Sequence, residues 1–220
     1  MKKVTIVLHE RKVKGLKRVL NENAVIEVDN INQNNYKEYI GKTVKVTGDV
    51  DLFELYLTKL PINFTEVGGN FWCDNNELTS LEGCPKEVGK DFYCSHNELT
   101  SLAGAPEEVG GIFTCSYNKL TTLEGAPEEV GRDFYCPYNK LTSLEGAPEE
   151  VGGSFYCHNN QLTSLAGAPE EVGGNFTCSY NQLTSLEGAP RKVGGNFYCY
   201  YNKLESTKDK PEFIGGRFLK

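Results

Sequence analysis

Cys157 and His158 stand side by side, and two carboxylates, Glu170 and Glu171, close the same stretch, FYCHNNQLTSLAGAPEE. A thiol beside an imidazole is the raw material of a nucleophilic site, because the basic ring favours the thiolate that attacks. Cysteine, histidine and carboxylates together are also metal ligands. Either chemistry needs the side chains to converge on one point, so the elements that carry them decide the matter.

Those residues recur. Seven consecutive units of 21 residues begin at Val67, Val88, Val109, Val130, Val151, Val172 and Val193, with the consensus V-G-G-x-F-x-C-x-x-N-x-L-T-S-L-x-G-A-P-E-E, and together occupy 67–213. Residues 46–66 form a degenerate first unit, with Gly48, Val50, Leu52, Leu57, Thr58 and Leu60 on consensus positions. Residues 214–220 open a partial last one, an edge strand with Gly215, Gly216 and Phe218 in register. A fixed period of this length predicts a solenoid, whose worn end units cap an otherwise open core. Within a unit, GSFYCHN alternates, so Phe155 and Cys157 face one way and Ser154, Tyr156 and His158 the other, the pattern of a short strand with Phe and Cys inward. Gly167, Pro169, Gly173 and Gly174 exclude a helix from the rest of the unit, which reads as an extended, turn-rich return path.

The run F-x-C-x-x-N-x-L resembles the leucine-rich-repeat core L-x-L-x-x-N-x-L, with Phe and Cys in place of two leucines. The return segment L-T-S-L-E-G-A-P-E-E-V is similar to the short proline-containing repeat of bacterial effector proteins. The resemblance covers about 46–220. The 21-residue period, the core cysteine and the Gly-Gly before the strand point to a divergent subgroup of bacterial or phage type. It implies a leucine-rich-repeat-like solenoid: one parallel sheet of about nine strands, roughly 40 Å long at about 4.8 Å per strand. It also implies that Asn76, Asn97, Asn118, Asn139, Asn160, Asn181 and Asn202 form a ladder satisfying backbone groups after each strand. By resemblance, such proteins are recognition scaffolds, effectors or interaction adaptors, without cofactors.

Residues 1–45 do not share the period and read as a small α/β cap. KVTIVLHE and NAVIEVD are its strands, Val13, Leu16, Val19 and Leu20 one face of a helix between them, and 32–40 a second short helix stopped by Gly41. Its basic residues Lys12, Lys14, Lys17 and Arg18 read as a solvated face.

Seven of the eight cysteines, Cys73, Cys94, Cys115, Cys136, Cys157, Cys178 and Cys199, therefore form one inward file. A single line of parallel side chains cannot wrap a metal tetrahedrally, so these are core fillers with inert thiols, and Cys84, where other units carry Ala, is another small packing residue. His9, His96 and His158 each occur out of step with any nucleophile column, and the Gly-Gly pairs precede strands rather than helices. No catalytic constellation and no cofactor motif remain, so the expectation is a protein that is not an enzyme.

What remains for function is the outward side of the strands. One column reads Trp72, Tyr93, Thr114, Tyr135, Tyr156, Thr177, Tyr198; a second Asp74, Ser95, Ser116, Pro137, His158, Ser179, Tyr200; the turn beyond reads Asn75, His96, Tyr117, Tyr138, Asn159, Tyr180, Tyr201. Such ladders stabilise a sheet by roughly 0.2–1 kcal/mol per cross-strand pair. Tyr and Trp are also the residue types enriched where proteins bind proteins. The expected binding set is Trp72, Tyr93, Tyr135, Tyr156 and Tyr198, with Tyr117, Tyr138 and Tyr180 beside them.

Charge supplies an alternative. The chain's net charge is −7, and Glu107/Glu108, Glu128/Glu129, Glu149/Glu150 and Glu170/Glu171 stack in register. Two charges per strand step is one per about 2.4 Å, near the roughly 1.7 Å per charge of duplex DNA, so a nucleic-acid mimic is a second reading. Direct binding of nucleic acid has the wrong sign of field. A glycan-binding module using the same aromatics as stacking platforms is a third. No apolar run approaches the roughly 20 residues of a membrane span, and VTIVL at 4–8 is too short for a signal-peptide core. A cytoplasmic protein is expected, and delivery as an effector into a host cell fits the same reasoning.

Overall fold

The computed structural model describes residues 6–7 and 24–220. Each unit contributes two short strands to a solenoid with two parallel sheets. Phe71–Trp72 and its counterparts every 21 residues, from Val50–Asp51 to Phe218–Leu219, form a sheet of nine strands. Glu87–Val88 and its counterparts form a second sheet, eleven strands among the described residues. The repeat solenoid expected from the period is therefore found, with one addition: the return path also pairs.

That second sheet has a physical reason for being invisible in the sequence. Its strands from Glu87–Val88 to Glu171–Val172 are two residues long, begin with glutamate and are bracketed by proline and glycine, all poor strand signals. They pair because the unit below presents the same backbone in register, as in Gly89 N–H to Val67 O at 2.8 Å and Gly110 N–H to Val88 O at 2.9 Å. At the corner between the sheets the first glycine of each pair is stacked on its predecessor. A Cβ on Gly131 would lie 2.2 Å from the Gly110 carbonyl oxygen, so only glycine fits the column.

The core is built of columns. Phe71 to Phe197 are fully buried, and successive rings stack at 5.1–5.5 Å. Cysteine, two leucine columns and the valine of the second sheet fill the rest of the section. Each fully buried Phe or Leu contributes about 1.5–3 kcal/mol of hydrophobic stabilisation. The core is thus one apolar rod running along the stacking axis.

At the N-terminus, β1 (Ile6–Val7), β2 (Val25–Val28) and β3 (Thr43–Val46) are parallel and extend the eleven-stranded sheet, β3 pairing Val46 with Val67. The expected strands of the cap are thus continuous with the solenoid. The expected helix carrying Val13, Leu16, Val19 and Leu20 lies outside the described residues. The one expected over 32–40 is a single 3-10 turn, Tyr36–Tyr39. Its asparagines explain the shortfall: Asn32 Oδ1 accepts from Asn34 N–H at 2.9 Å and Asn35 Oδ1 from Asn32 N–H at 2.8 Å, local bonds that compete with a helix.

Candidate partner-binding face

Alternation along the nine-stranded sheet settles the fate of Cys157 and His158. The thiol is buried inside, the imidazole lies outside, and Glu170 and Glu171 stand exposed by the other sheet. All eight cysteines are free, and Cys84 packs half-buried against the core. Burial pushes the thiols well up, Cys199 to about 11 and the interior ones higher, so they remain protonated. The six from Cys94 to Cys199 in the strand file each donate to a neighbouring carbonyl, as Cys136 Sγ does to Tyr156 O at 3.3 Å. They are core residues.

The asparagine column is structural as expected. Asn97 Nδ2 donates to the carbonyls of Cys73 at 3.0 Å and Cys94 at 3.2 Å, while its Oδ1 accepts from Leu78 N–H at 2.9 Å. One amide thereby joins two units, and the bond set recurs up the stack. A second ladder runs before the phenylalanine, where Asp91 Oδ1 accepts from Ile112 N–H at 2.8 Å, Asp133 Oδ1 from Ser154 N–H at 2.7 Å and Asn175 Oδ1 from Asn196 N–H at 2.7 Å. Sequence reasoning missed it, although the Asp, Asn and Ser at that position in every unit but the one with Ile112 were the signal.

The eight expected binding residues all lie on the solvent side of the nine-stranded sheet or its following turn. Trp72, Tyr93, Tyr135, Tyr156 and Tyr198 are half-buried; Tyr117, Tyr138 and Tyr180 are exposed. In the first column Trp72 stacks on Tyr93 at 6.1 Å and Tyr135 on Tyr156 at 4.4 Å, while Thr114 and Thr177 interrupt the row. In the turn column His96, Tyr117 and Tyr138 form one continuous stack at 4.4 and 4.3 Å, and Tyr180 stacks on Tyr201 at 4.4 Å beyond Asn159. Tyr198 has Thr177 and Leu219 as column neighbours and leans edge-on against Tyr200 at 6.3 Å. His96, Tyr200 and Tyr201 therefore belong to the same face.

Between the two columns lies a trough. Its floor is Asp74, Ser95, Ser116 and Pro137, all short. His158 closes it, set edge-on to Tyr138 at 6.0 Å and to Tyr156 at 6.3 Å. Among the described residues, the buried side-chain atoms without a hydrogen-bond partner, Asp74 Oδ1, His158 Nδ1 and Ser179 Oγ, all belong to this middle column. Burial raises the Asp74 carboxyl, with Asp51 adding to the effect, and lowers the His158 imidazolium.

Two of the phenols are tethered. Tyr93 hydroxyl donates to Asp91 Oδ2 at 3.1 Å and Tyr135 hydroxyl to Asp133 Oδ2 at 3.3 Å. Burial, then the adjacent carboxylate, pushes both phenols up. Strand alternation, which sends residues two apart to the same side, was the signal for these pairs.

The turn column is strained. His96, Tyr117, Tyr138, Tyr180 and Tyr201 have φ of 53–57°, the left-handed region that asparagine tolerates and that Asn75 and Asn159 occupy in the same column. One stacked pair is worth about as much as the strain of one such residue. Five strained residues share three stacks and three edge-on contacts, Tyr138 to His158, Tyr180 to Tyr200 and Tyr200 to Tyr201, so ring packing about offsets the strain at this turn.

The carboxylate ladder is bounded. Glu108, Glu129 and Glu150 pair in register and border a shallow groove of about 170 Å³. Its ends are bridged, by Lys86 to Glu107 at 2.6 Å and by Arg191 and Lys192 to Glu171 at 2.6 and 3.0 Å. Among the described residues no group of three or more His, Cys, Asp or Glu could hold a metal ion, and no helix is long and apolar enough to cross a membrane. Comparison with protein-family models gave no match, and neither did comparison with curated proteins or with solved structures.

Proposed function

We propose that this protein is a non-enzymatic interaction module that binds a protein partner through the aromatic face of its nine-stranded sheet. The observation that carries the reading is the pair of adjoining ring columns on the solvent side of one sheet, where Tyr117, Tyr138, Tyr180 and Tyr201 stand exposed beside the half-buried Trp72, Tyr93, Tyr135 and Tyr156. A preformed, rigid surface of half-exposed Tyr and Trp offers large contact area at little ordering cost. Kinship with the short leucine-rich repeats of bacterial or phage effectors, and a cytoplasmic site of action, are part of the proposal. The F-x-C-x-x-N-x-L run and the asparagine ladder support that kinship.

The two other readings are weaker on geometry. Sugars stack on broad exposed ring faces, whereas here most rings hide their faces against one another at 4.3–4.4 Å and present edges and hydroxyls, leaving free only the faces of Tyr93 and Tyr135 beside Thr114. Four carboxylate pairs span three strand steps, about 14 Å or roughly four base pairs, and basic residues bridge both ends, which is short for a duplex mimic. The test is affinity capture from lysate with the wild-type chain and a Tyr93→Ala/Tyr135→Ala/Tyr156→Ala variant, read by mass spectrometry. The variant is expected to lose the specific partner; equal recovery by both chains ends the aromatic-face reading.

A further inference from the structure

Thr114 opens a slot in the first aromatic column. Tyr93 and Tyr135 stand on the strands either side of it, paired in register through Thr114. Neighbouring strands are about 4.8 Å apart, so the two rings flank a gap of about 9.6 Å. The far face of Tyr93 is taken by Trp72 and that of Tyr135 by Tyr156, at interplanar angles of 13° and 8°. The faces turned toward Thr114 have no ring between them. One planar group inserted there would sit about 4.8 Å from each ring, within the 4.5–7 Å range of aromatic contacts.

The chemistry around the slot selects the occupant. Asp91 and Asp133 hold the hydroxyls of its two walls, which places a carboxylate at each end of the rim. Ile112 takes the ladder position between these carboxylates, an apolar surface for an aliphatic stem. On the floor Thr114 Oγ1 lies 2.8 Å from Ser95 Oγ and 3.2 Å from Ser116 Oγ. Asp51 and Asp74 add two more carboxylates to this end of the face, against Lys90 and Arg132, the latter near enough to act on the Tyr93 phenol. The local balance is acidic.

We infer that the slot takes the guanidinium of an arginine, presented by an extended basic segment of the partner lying in the trough. The inference rests on the reading of this face as the docking surface. A guanidinium is planar, stacks on aromatic faces and forks onto carboxylates, whereas an ammonium is a compact point charge that leaves the slot unfilled. A nucleobase would match the rings, but its phosphates would meet the carboxylates. The trough from Asp74 to Pro137 spans three strand steps, about 14 Å, room for four or five extended residues before His158 closes it. The second gap, at Thr177, lacks the charge: Ser154, Asn175 and Asn196 beside it are neutral, and Ser179 on its floor is fully buried.

The test uses a fluorescein-labelled, amide-capped pentapeptide, Ser-Val-Arg-Val-Ser, in fluorescence polarisation at low salt. Its counterparts carry citrulline or lysine at the centre, the first keeping the plane without the charge. Thr114→Tyr installs the residue that the units on either side carry, so the fold is kept and the slot is filled. Asp91→Asn/Asp133→Asn keeps the amide acceptors and removes the charge. Saturable binding of the arginine peptide is expected, weakened about tenfold or more by citrulline, by lysine, by Thr114→Tyr and by the double Asn variant. Undiminished binding to Thr114→Tyr, equal binding of the citrulline peptide, or no saturable binding to the wild type overturns the inference. Failure here with loss of capture by the triple-alanine variant leaves the docking face standing and removes only the arginine slot.

Discussion

His158 shows what a single residue does on this face. At Ser95 and Ser116, the same position in two earlier units, the trough is open; here the imidazole stands edge-on between Tyr138 and Tyr156, with Nδ1 unbonded and buried. Burial holds its folded-state pKa below the usual value. An unfolded histidine binds its proton near pH 6.5 while the folded one resists, so the unfolded state gains protons first as the pH falls. The His158 contribution to stability is therefore neutral above that pH, becomes unfavourable below about 6.5 and levels off once the folded pKa is passed. His158→Ser, matching Ser95, Ser116 and Ser179, should remove this dependence. Urea unfolding of both chains from pH 8 to 5 checks it: the wild type is expected to lose stability relative to the variant only on the acidic side. A difference that stays constant with pH would show that the ring is not desolvated as described. The neighbouring Cys157 takes no part in this, because strand alternation turns it into the core.

At the scale of the element, strands of two residues cannot stand on their own propensity and exist only as members of a stack. Glycine at the corner is the condition for that stack. The first glycine of the pair is retained in all seven units, whereas the second is replaced by Lys90 and Arg132. A Cβ at the first position meets the backbone carbonyl of the unit below, which has nowhere to go without parting both sheets. Gly131→Ala is expected to cost about 1–3 kcal/mol or more, as overpacking in an unyielding site does. Denaturant midpoints of wild type and variant measure it; an unchanged midpoint would mean that the corner is looser than the 2.2 Å approach implies.

For the whole molecule, each unit contacts chiefly its neighbours, so stability is a sum over units and interfaces. Deleting 109–129 removes one unit in register and brings Tyr93 directly beside Tyr135. That chain is expected to fold cooperatively, with a lower unfolding free energy, an aromatic column unbroken from Trp72 to Tyr156 and no slot. Deleting 110–129, one residue fewer, reverses the side-chain alternation for everything downstream and sends Phe and Cys to solvent. Circular dichroism with urea denaturation distinguishes the two: cooperative unfolding of the shorter deletion product would contradict the register argument.

The sequence by itself determined the period, the inward Phe, Cys and Leu columns, the asparagine ladder and the outward aromatic columns. Each depends on alternation or strict recurrence, which are properties of the chain read along its length. Only the tertiary structure decided that the Glu-Val segments pair into a second sheet, because that pairing is made between units and no residue within one announces it. Stacking likewise decided which rings touch, that Tyr93 and Tyr135 are tethered to aspartates across a gap, and that His158 closes the trough. Distances across strands set those relations, and the linear order contains the residues but not the distances.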